Sequence, residues 1–260
     1  MKTISELPAN VRASIQFLFT DIDDTITTDG KLPPESFQAL WSLNQKGIHV
    51  IPVTGRPAGW CEMIARFWPV AGVVGENGAF YFRYTENKMT RWFARPESER
   101  SSDQKKLDII KSEILSKVKG SAISSDQFCR LFDLAVDFCE DVPPLDKKAV
   151  QEIVKIFENH GAHAKVSSIH VNGWFGDFNK LSTTKVFLQN VFKIDFEKSQ
   201  SKMGFIGDSP NDEPMFEAFE NSFGVANIKN FADQLNHKPN FVADFNGGQG
   251  FSQIANLLSK

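Results

Sequence analysis

Short apolar runs alternate with helix-period segments over the first third of the chain, and the alternation predicts strands and helices in turn. Ile15 to Phe19 predicts a buried strand. Pro33 and Pro34 open a helix that carries Phe37, Leu40 and Trp41 on one face, and Gly47 stands where such a helix ends. Ile48 to Val53 predicts the next strand, Ala58 to Phe67 a helix and Val70 to Val74 a third strand, after which Gly75-Glu76-Asn77-Gly78 turns the chain. The rhythm returns late: a helix over Thr183 to Phe192, a strand over Met203 to Ile206, a helix over Glu213 to Glu220, and strands at Phe223 to Ala226 and Phe241 to Ala243. Strands separated by helices imply a parallel sheet with helices on its faces.

Between these stretches the texture changes. Phe80 to Tyr84 and Thr90 to Ala94 read as a hairpin, Leu107 to Val118 as an amphipathic helix and Arg130 to Phe138 as a strand. Asp146 to Glu158 follows as a helix and Val166 to Val171 as a strand. The expected architecture is therefore α/β: a Rossmann-like, doubly wound parallel-sheet core over residues 1–83 and 179–260, with an inserted α+β unit over 84–178.

Composition narrows the function more by exclusion than by indication. The balance of 29 Lys plus Arg against 32 Asp plus Glu gives a net charge of −3, without the basic footprint of a protein that binds phosphate backbones or anionic lipid. No nucleic-acid partner and no membrane partner are expected. The N-terminal stretch lacks an apolar core of the secretory kind, and Cys61, Cys129 and Cys139 form no CxxC pair, so a cytoplasmic protein with buried thiols is expected. His160 and His163 read as surface residues, since no cysteine or carboxylate accompanies them. The 24 Phe against 2 Tyr add apolar volume with few hydroxyls to satisfy.

Candidate chemistry gathers at strand ends. Asp21, Asp23 and Asp24 follow the first strand, and Asp208 and Asp212 follow the strand at Met203 to Ile206. In an open parallel sheet the carboxyl ends of strands are where ligands bind. Carboxylates this close repel, and a hard divalent cation is the usual remedy. An EF-hand loop is excluded, because counting from Asp21 puts Ile26 where glycine is required and Leu32 where a bidentate Glu is required. The strand at Ile48 to Val53 ends in Thr54-Gly55-Arg56, a hydroxyl and backbone N–H groups suited to phosphate.

In their order, DIDDT, VTGR, a downstream lysine and GDSPND resemble the four signature motifs of the haloacid dehalogenase superfamily of phosphotransferases. Only 33 positions separate Asp21 from Thr54, whereas 131 separate Thr54 from Lys185, and this spacing, with Gly75 to Ala79 (GENGA), is similar to the subgroup with a large α+β cap between the second and third motifs, which includes the Cof-like and sucrose-phosphate phosphatases. The resemblance implies a Mg2+-dependent phosphatase acting on a small phosphorylated metabolite, a sugar or polyol phosphate, through an aspartyl-phosphate. It implies Asp21 as nucleophile, Asp23 as acid and base, and Thr54 and a lysine as ligands of the phosphoryl oxygens. Magnesium would be held by Asp21, the Asp23 backbone carbonyl, Asp208 and Asp212.

Two lysines fit the third motif, Lys180 and Lys185, and Lys185 is preferred because Leu188, Val191 and Phe192 continue a helix from it. Asp24, where the family often has glycine, reads as a supporting carboxylate. Substrate contacts are expected from Thr54, Gly55, Arg56, Asn77, Asn211, His170 and Asn172, with Arg130 and Trp174 also facing the cleft, although His170 could equally stand on an exposed strand face. A monomer or homodimer fits. A phosphomutase of the phosphomannomutase type and a non-catalytic metabolite-binding protein are the alternatives, whereas a dehalogenase would have no need of Asp208 and Asp212.

Overall fold

The computed structural model describes residues 1–167 and 169–260. In chain order the elements are β1 (Lys2–Thr3), α1 (Ala9–Ser14), β2 (Phe17–Thr20), α2 (Pro34–Gln45), β3 (His49–Pro52), α3 (Ala58–Phe67) and β4 (Val73–Gly75). Then come β5 (Phe80–Thr85), β6 (Lys88–Phe93), α4 (Glu97–Lys117), β7 (Ala122–Ile123), β8 (Leu134–Asp137), α5 (Lys147–Asn159), β9 (His163–Val166) and β10 (His170–Trp174). The chain ends with α6 (Lys180–Phe187), β11 (Met203–Gly207), α7 (Glu213–Ala218), β12 (Ser222–Gly224), β13 (Phe241–Val242) and α8 (Gly247–Leu258).

Six strands form one parallel sheet in the order β1-β13-β12-β11-β2-β3. The alternation of side chains along a strand sends neighbouring residues to opposite faces, and each face here has its own apolar cluster. Leu18, Val50, Ile206 and Phe223 pack with Leu40 and Leu43 of α2 and with Phe251 and Ile254 of α8. Phe17, Phe19, Ile51 and Phe205 face the other way, onto Phe187 of α6 and Met215 and Phe216 of α7. A doubly wound α/β core results. In this second layer Phe19, Phe205, Phe216 and Phe219 pack at tilted or edge-on angles with ring separations of 5.5 to 5.8 Å.

Beyond β3 a bridge from Val53 to Val74 leads to a three-stranded sheet, β4-β5-β6, so the expected hairpin forms and sits beside the core sheet. Residue 84 lies inside β5, and Phe80 and Phe82 belong to the core cluster. A separate four-stranded antiparallel sheet, β7-β8-β10-β9, carries α4 and α5. Its interior is a third cluster of Leu107, Ile110, Ile114, Val136, Ile153, Phe157 and Val171. The expected single strand over Val166 to Val171 is a correction: β9 ends at Val166 and β10 begins at His170, because Ser167 turns the chain by donating its N–H to the His170 carbonyl (2.8 Å) and accepting the His170 N–H on its hydroxyl (2.9 Å). Ser168, inside that expected strand, lies outside the described residues.

Two local features set the start of α6. Asn179 caps the helix, its Oδ1 accepting the Ser182 N–H at 2.9 Å while the Ser182 hydroxyl accepts the Asn179 N–H at 3.0 Å. Gly78 lies against this cap with φ +106°, and a Cβ there would stand 2.2 Å from the Asn179 carbonyl oxygen. Both the backbone angle and the contact demand glycine. Gly78→Ala is expected to lower stability by at least ~1 kcal/mol, measured by urea unfolding, since backbone rather than a mobile side chain blocks the new methyl.

Candidate active site

The register of the central strands brings the acidic segments together. Thr20 of β2 pairs with Ile206 of β11 and with Pro52 of β3, so the residues that leave these three strands emerge side by side at one sheet edge. Asp21 continues the ladder, its N–H donating to the Ile206 carbonyl at 2.9 Å. After β11, Pro210 to Asp212 make one 3-10 turn that folds the Asp212 carboxylate back to accept the Asp208 N–H at 3.1 Å. Gly207 makes the room, for a Cβ there would lie 2.5 Å from Asp212 Oδ2.

Asp21, Asp208 and Asp212 can each offer a carboxylate oxygen within 4.8 Å of the others, and all three residues are buried. Lys180 Nζ donates to Asp21 Oδ1 and to Asp212 Oδ1, at 2.9 Å each. Asp208 accepts from the Thr25 hydroxyl (3.3 Å) and the Asn227 amide (3.1 Å). One ammonium against three carboxylates leaves an excess of negative charge out of water. Burial first, and then Asp212 and Asp23, push the Asp21 carboxyl up to about 7, against the pull of Lys180. Burial with Asp212 and Asp21 raises Asp208 well above the ordinary carboxylate range. Burial opposes the charge on Lys180, but Asp21 and Asp212 outweigh it and hold the ammonium protonated. The oxygen-only donor set suits a hard divalent cation, which would relieve the repulsion.

The lysine is a correction. Lys185, preferred on the sequence, is two-fifths exposed and pairs with Glu197 at 2.6 Å, while Lys180 occupies the site. The Asn179 cap starts the helix three residues earlier than expected and places Lys180 at its first turn, pointing into the acidic cluster. The signal was present as Asn179-x-x-Ser182.

The other expected residues line one cleft of 710 Å³ or its wall: Asp21, Asp23, Gly55, Arg56, Asn77, His170, Asn172, Asp208 and Asn211 all face it. Asp23 is not one of the three clustered carboxylates and takes a two-pronged contact from Arg56, with Nε at 3.0 and 3.1 Å and Nη2 at 2.8 Å. Its side chain is thus no donor to the cluster in this arrangement. Thr54 is wholly buried, its hydroxyl accepting the Arg56 N–H at 3.0 Å. Gly55 lies against Asn77, whose φ of 56° holds the turn after β4. His170 is 3% exposed and faces the cleft, not solvent. Arg130 and Asn172 line the cleft but are engaged by protein: Arg130 Nη1 donates to Asp133 and to the Gly55 carbonyl at 3.1 Å each, and the Asn172 amide donates to Asp133 at 2.8 Å. Trp174 packs in the core cluster, against Phe178. Asp24 sits in the cleft wall at φ 54°.

Glu76 is not singled out by its sequence context. Its buried carboxylate accepts the N–H groups of Ala58 in α3 (2.9 Å), Leu131 (2.9 Å) and Phe132 (2.6 Å), tying the inserted segment to the core beside the cleft. Among the described residues Cys61, Cys129 and Cys139 form no disulfide, and only Cys61 is fully buried.

Residues 18–123 match the family model of the haloacid dehalogenase-like hydrolases. A protein of Thermoplasma acidophilum named phosphoglycolate phosphatase is 22% identical over 249 residues, covering 92% of this chain and 96% of its own. Among solved structures, a Thermoplasma acidophilum protein superposes with a TM-score of 0.70 at 19% identity, over 94% of this chain and 98% of that one. The sucrose-phosphatase of Synechocystis sp. PCC6803, solved with sucrose and phosphate, superposes at 0.62 and 17% identity, over 94% and 98%. These likenesses share the fold. No helix among the described residues is long and apolar enough to cross a membrane.

The two lysines separate experimentally in thermal and urea unfolding. Lys180→Met leaves the buried carboxylates without their cation and is expected to cost ~3 kcal/mol or more. Lys185→Met, at a surface pair, is expected to change stability by less than ~1 kcal/mol.

Proposed function

We propose that the protein is a Mg2+-dependent phosphatase that hydrolyses a small phosphorylated metabolite, a sugar or polyol phosphate, through an aspartyl-phosphate on Asp21. The observation that carries the reading is the Asp21 carboxylate, buried beside Asp208 and Asp212 and held on one oxygen by Lys180. In the first half-reaction an Asp21 oxygen bonds to phosphorus as the ester P–O bond breaks, and Asp23, two residues on and lining the same cleft, gives a proton to the leaving oxygen. In the second, water attacks phosphorus, Asp23 takes its proton, and Asp21 is released. Lys180 would neutralise charge on the phosphoryl oxygens, and the Thr54 hydroxyl would donate a hydrogen bond to one of them.

Asp21, the Asp23 carbonyl, Asp208 and Asp212 would hold the metal, which supplies positive charge that lets one anion approach another. Six asparagines (Asn77, Asn172, Asn211, Asn227, Asn230 and Asn246) line the cleft. Asn172 and Asn227 give their amides to Asp133 and Asp208, and the neutral donors and acceptors of the others suit hydroxyl groups. The segment from α4 to β10, within 84–178, is proposed as the cap that selects the substrate, since it contributes His170 and Asn172 to the cleft wall. The sucrose-phosphatase named above supports a sugar ester, and the phosphoglycolate phosphatase supports phosphate-ester hydrolysis more generally.

Phosphate release from a panel of hexose, polyol and glycolate phosphates tests this. Turnover is expected with Mg2+, stopping in EDTA and in Asp21→Asn; turnover that survives Asp21→Asn would contradict the mechanism. The metal-free Asp21 carboxyl is half protonated near pH 7, and a cation must displace that proton. The rise in melting temperature on adding Mg2+ is therefore expected to be small at about pH 5.5 and to grow through about pH 7.

A further inference from the structure

The phosphatase reading and the observed contacts make opposite demands on Asp23. Arg56 donates to both of its carboxylate oxygens and holds the group against the guanidinium, whereas a leaving oxygen needs it turned to the ester. For Asp23 to act, Arg56 needs a second acceptor. Among the described residues two further carboxylates reach the guanidinium, both at Nη1 and both from the inserted unit: Asp126 at 3.9 Å and Glu140 at 3.5 Å. Asp126 is already taken up by Arg130, at 2.9 and 3.2 Å, and by the Ser124 hydroxyl at 2.7 Å.

Glu140 is differently placed. Its Oε2 lies 2.9 Å from His170 Nε2, while Oε1 is the oxygen that faces Arg56. The loop that presents it is built on Asp137, whose carboxylate accepts the N–H groups of Cys139 (2.9 Å), Glu140 (2.8 Å) and Asp141 (2.8 Å). Asp137 stands opposite His170 in the β8–β10 ladder, so one register sets both the loop and the imidazole. The His170 contact, with Arg56 adding to it, holds the Glu140 carboxyl below its ordinary range, as an ionised acceptor.

We infer that Glu140, held by the Asp137 loop and by His170, is a positioning residue that receives Arg56 when an ester enters the cleft and so frees Asp23 to protonate the leaving oxygen. The step balances without a further reactant: the Asp21–phosphorus bond forms, the ester P–O bond breaks, and the Asp23 proton goes to the departing alkoxide. The inference rests on the phosphatase reading above, and it assigns the inserted unit a part in the chemistry as well as in recognition.

The test is the leaving-group dependence of kcat/KM, which reports the first half-reaction. An alkyl alkoxide departs poorly without a proton, whereas p-nitrophenolate departs without one. In Glu140→Gln the ratio of kcat/KM for glycerol 3-phosphate to that for p-nitrophenyl phosphate is expected to fall by about tenfold or more, a modest share of the ~10² to 10⁴ that a general acid contributes. Glu140 is partly exposed and its backbone is held by Asp137, so the variant is expected to fold. An equal loss on both esters would mark a merely structural role and overturn the inference with the phosphatase reading intact. Failure of the unmodified protein to hydrolyse either ester with Mg2+ would overturn the phosphatase reading itself, and the inference with it.

Discussion

Three carboxylates, Asp21, Asp208 and Asp212, share one buried corner with a single ammonium, and the rest of the site depends on that imbalance. Burial costs charge its hydration, and mutual repulsion adds to the cost, so the corner persists only because the fold holds it. The parallel register of β2 and β11 sets Asp21 beside Asp208, the turn after β11 returns Asp212, and the capped start of α6 delivers Lys180. Strain of this kind is commonly retained where a ligand relieves it. A divalent cation at this corner would do so, and the proton carried by Asp21 near neutral pH is its competitor.

The inserted unit is no independent appendage. Its own apolar cluster begins at Leu107 and includes Val136 and Val171, but Phe132 and Trp174 leave it to pack in the core cluster. Glu76 binds the backbone at Leu131 and Phe132, and Arg130 reaches the Gly55 carbonyl in the Thr54-Gly55-Arg56 turn. The insert thus touches the same turn that contacts Asp23.

Much of this is legible from the residues in order. Strand ends carrying Asp21 and Asp208 can be recognised because a buried strand is a short apolar run, and in a parallel sheet the residues just beyond such a run lie at the ligand edge. Lys180 is the less favoured lysine on sequence, because apolar spacing points to a helix from Lys185 and the cap at Asn179 and Ser182 carries the decisive information. The hairpin between β9 and β10 reads as one strand, since Ile169, His170 and Val171 alternate as a strand does and the Ser167–His170 hydrogen bonds leave no apolar signal. Arg130 and Asn172 line the cleft, but a sequence does not show that Asp133 engages both. The roles of Glu76, within the GENGA run, and of Glu140 are not legible in the sequence because they depend on backbone 55 positions away for the first, and on a partner across a ladder for the second.

The central claim is that Asp21 forms the covalent intermediate at this corner. It is tested most directly by quenching the Mg2+-loaded enzyme during turnover, reducing the acyl phosphate with borohydride, and mapping the product by peptide mass spectrometry. Conversion of Asp21, and of no other carboxylate, to homoserine is the predicted result. Turnover with Asp21 unmodified, or reduction at a different residue, would contradict it.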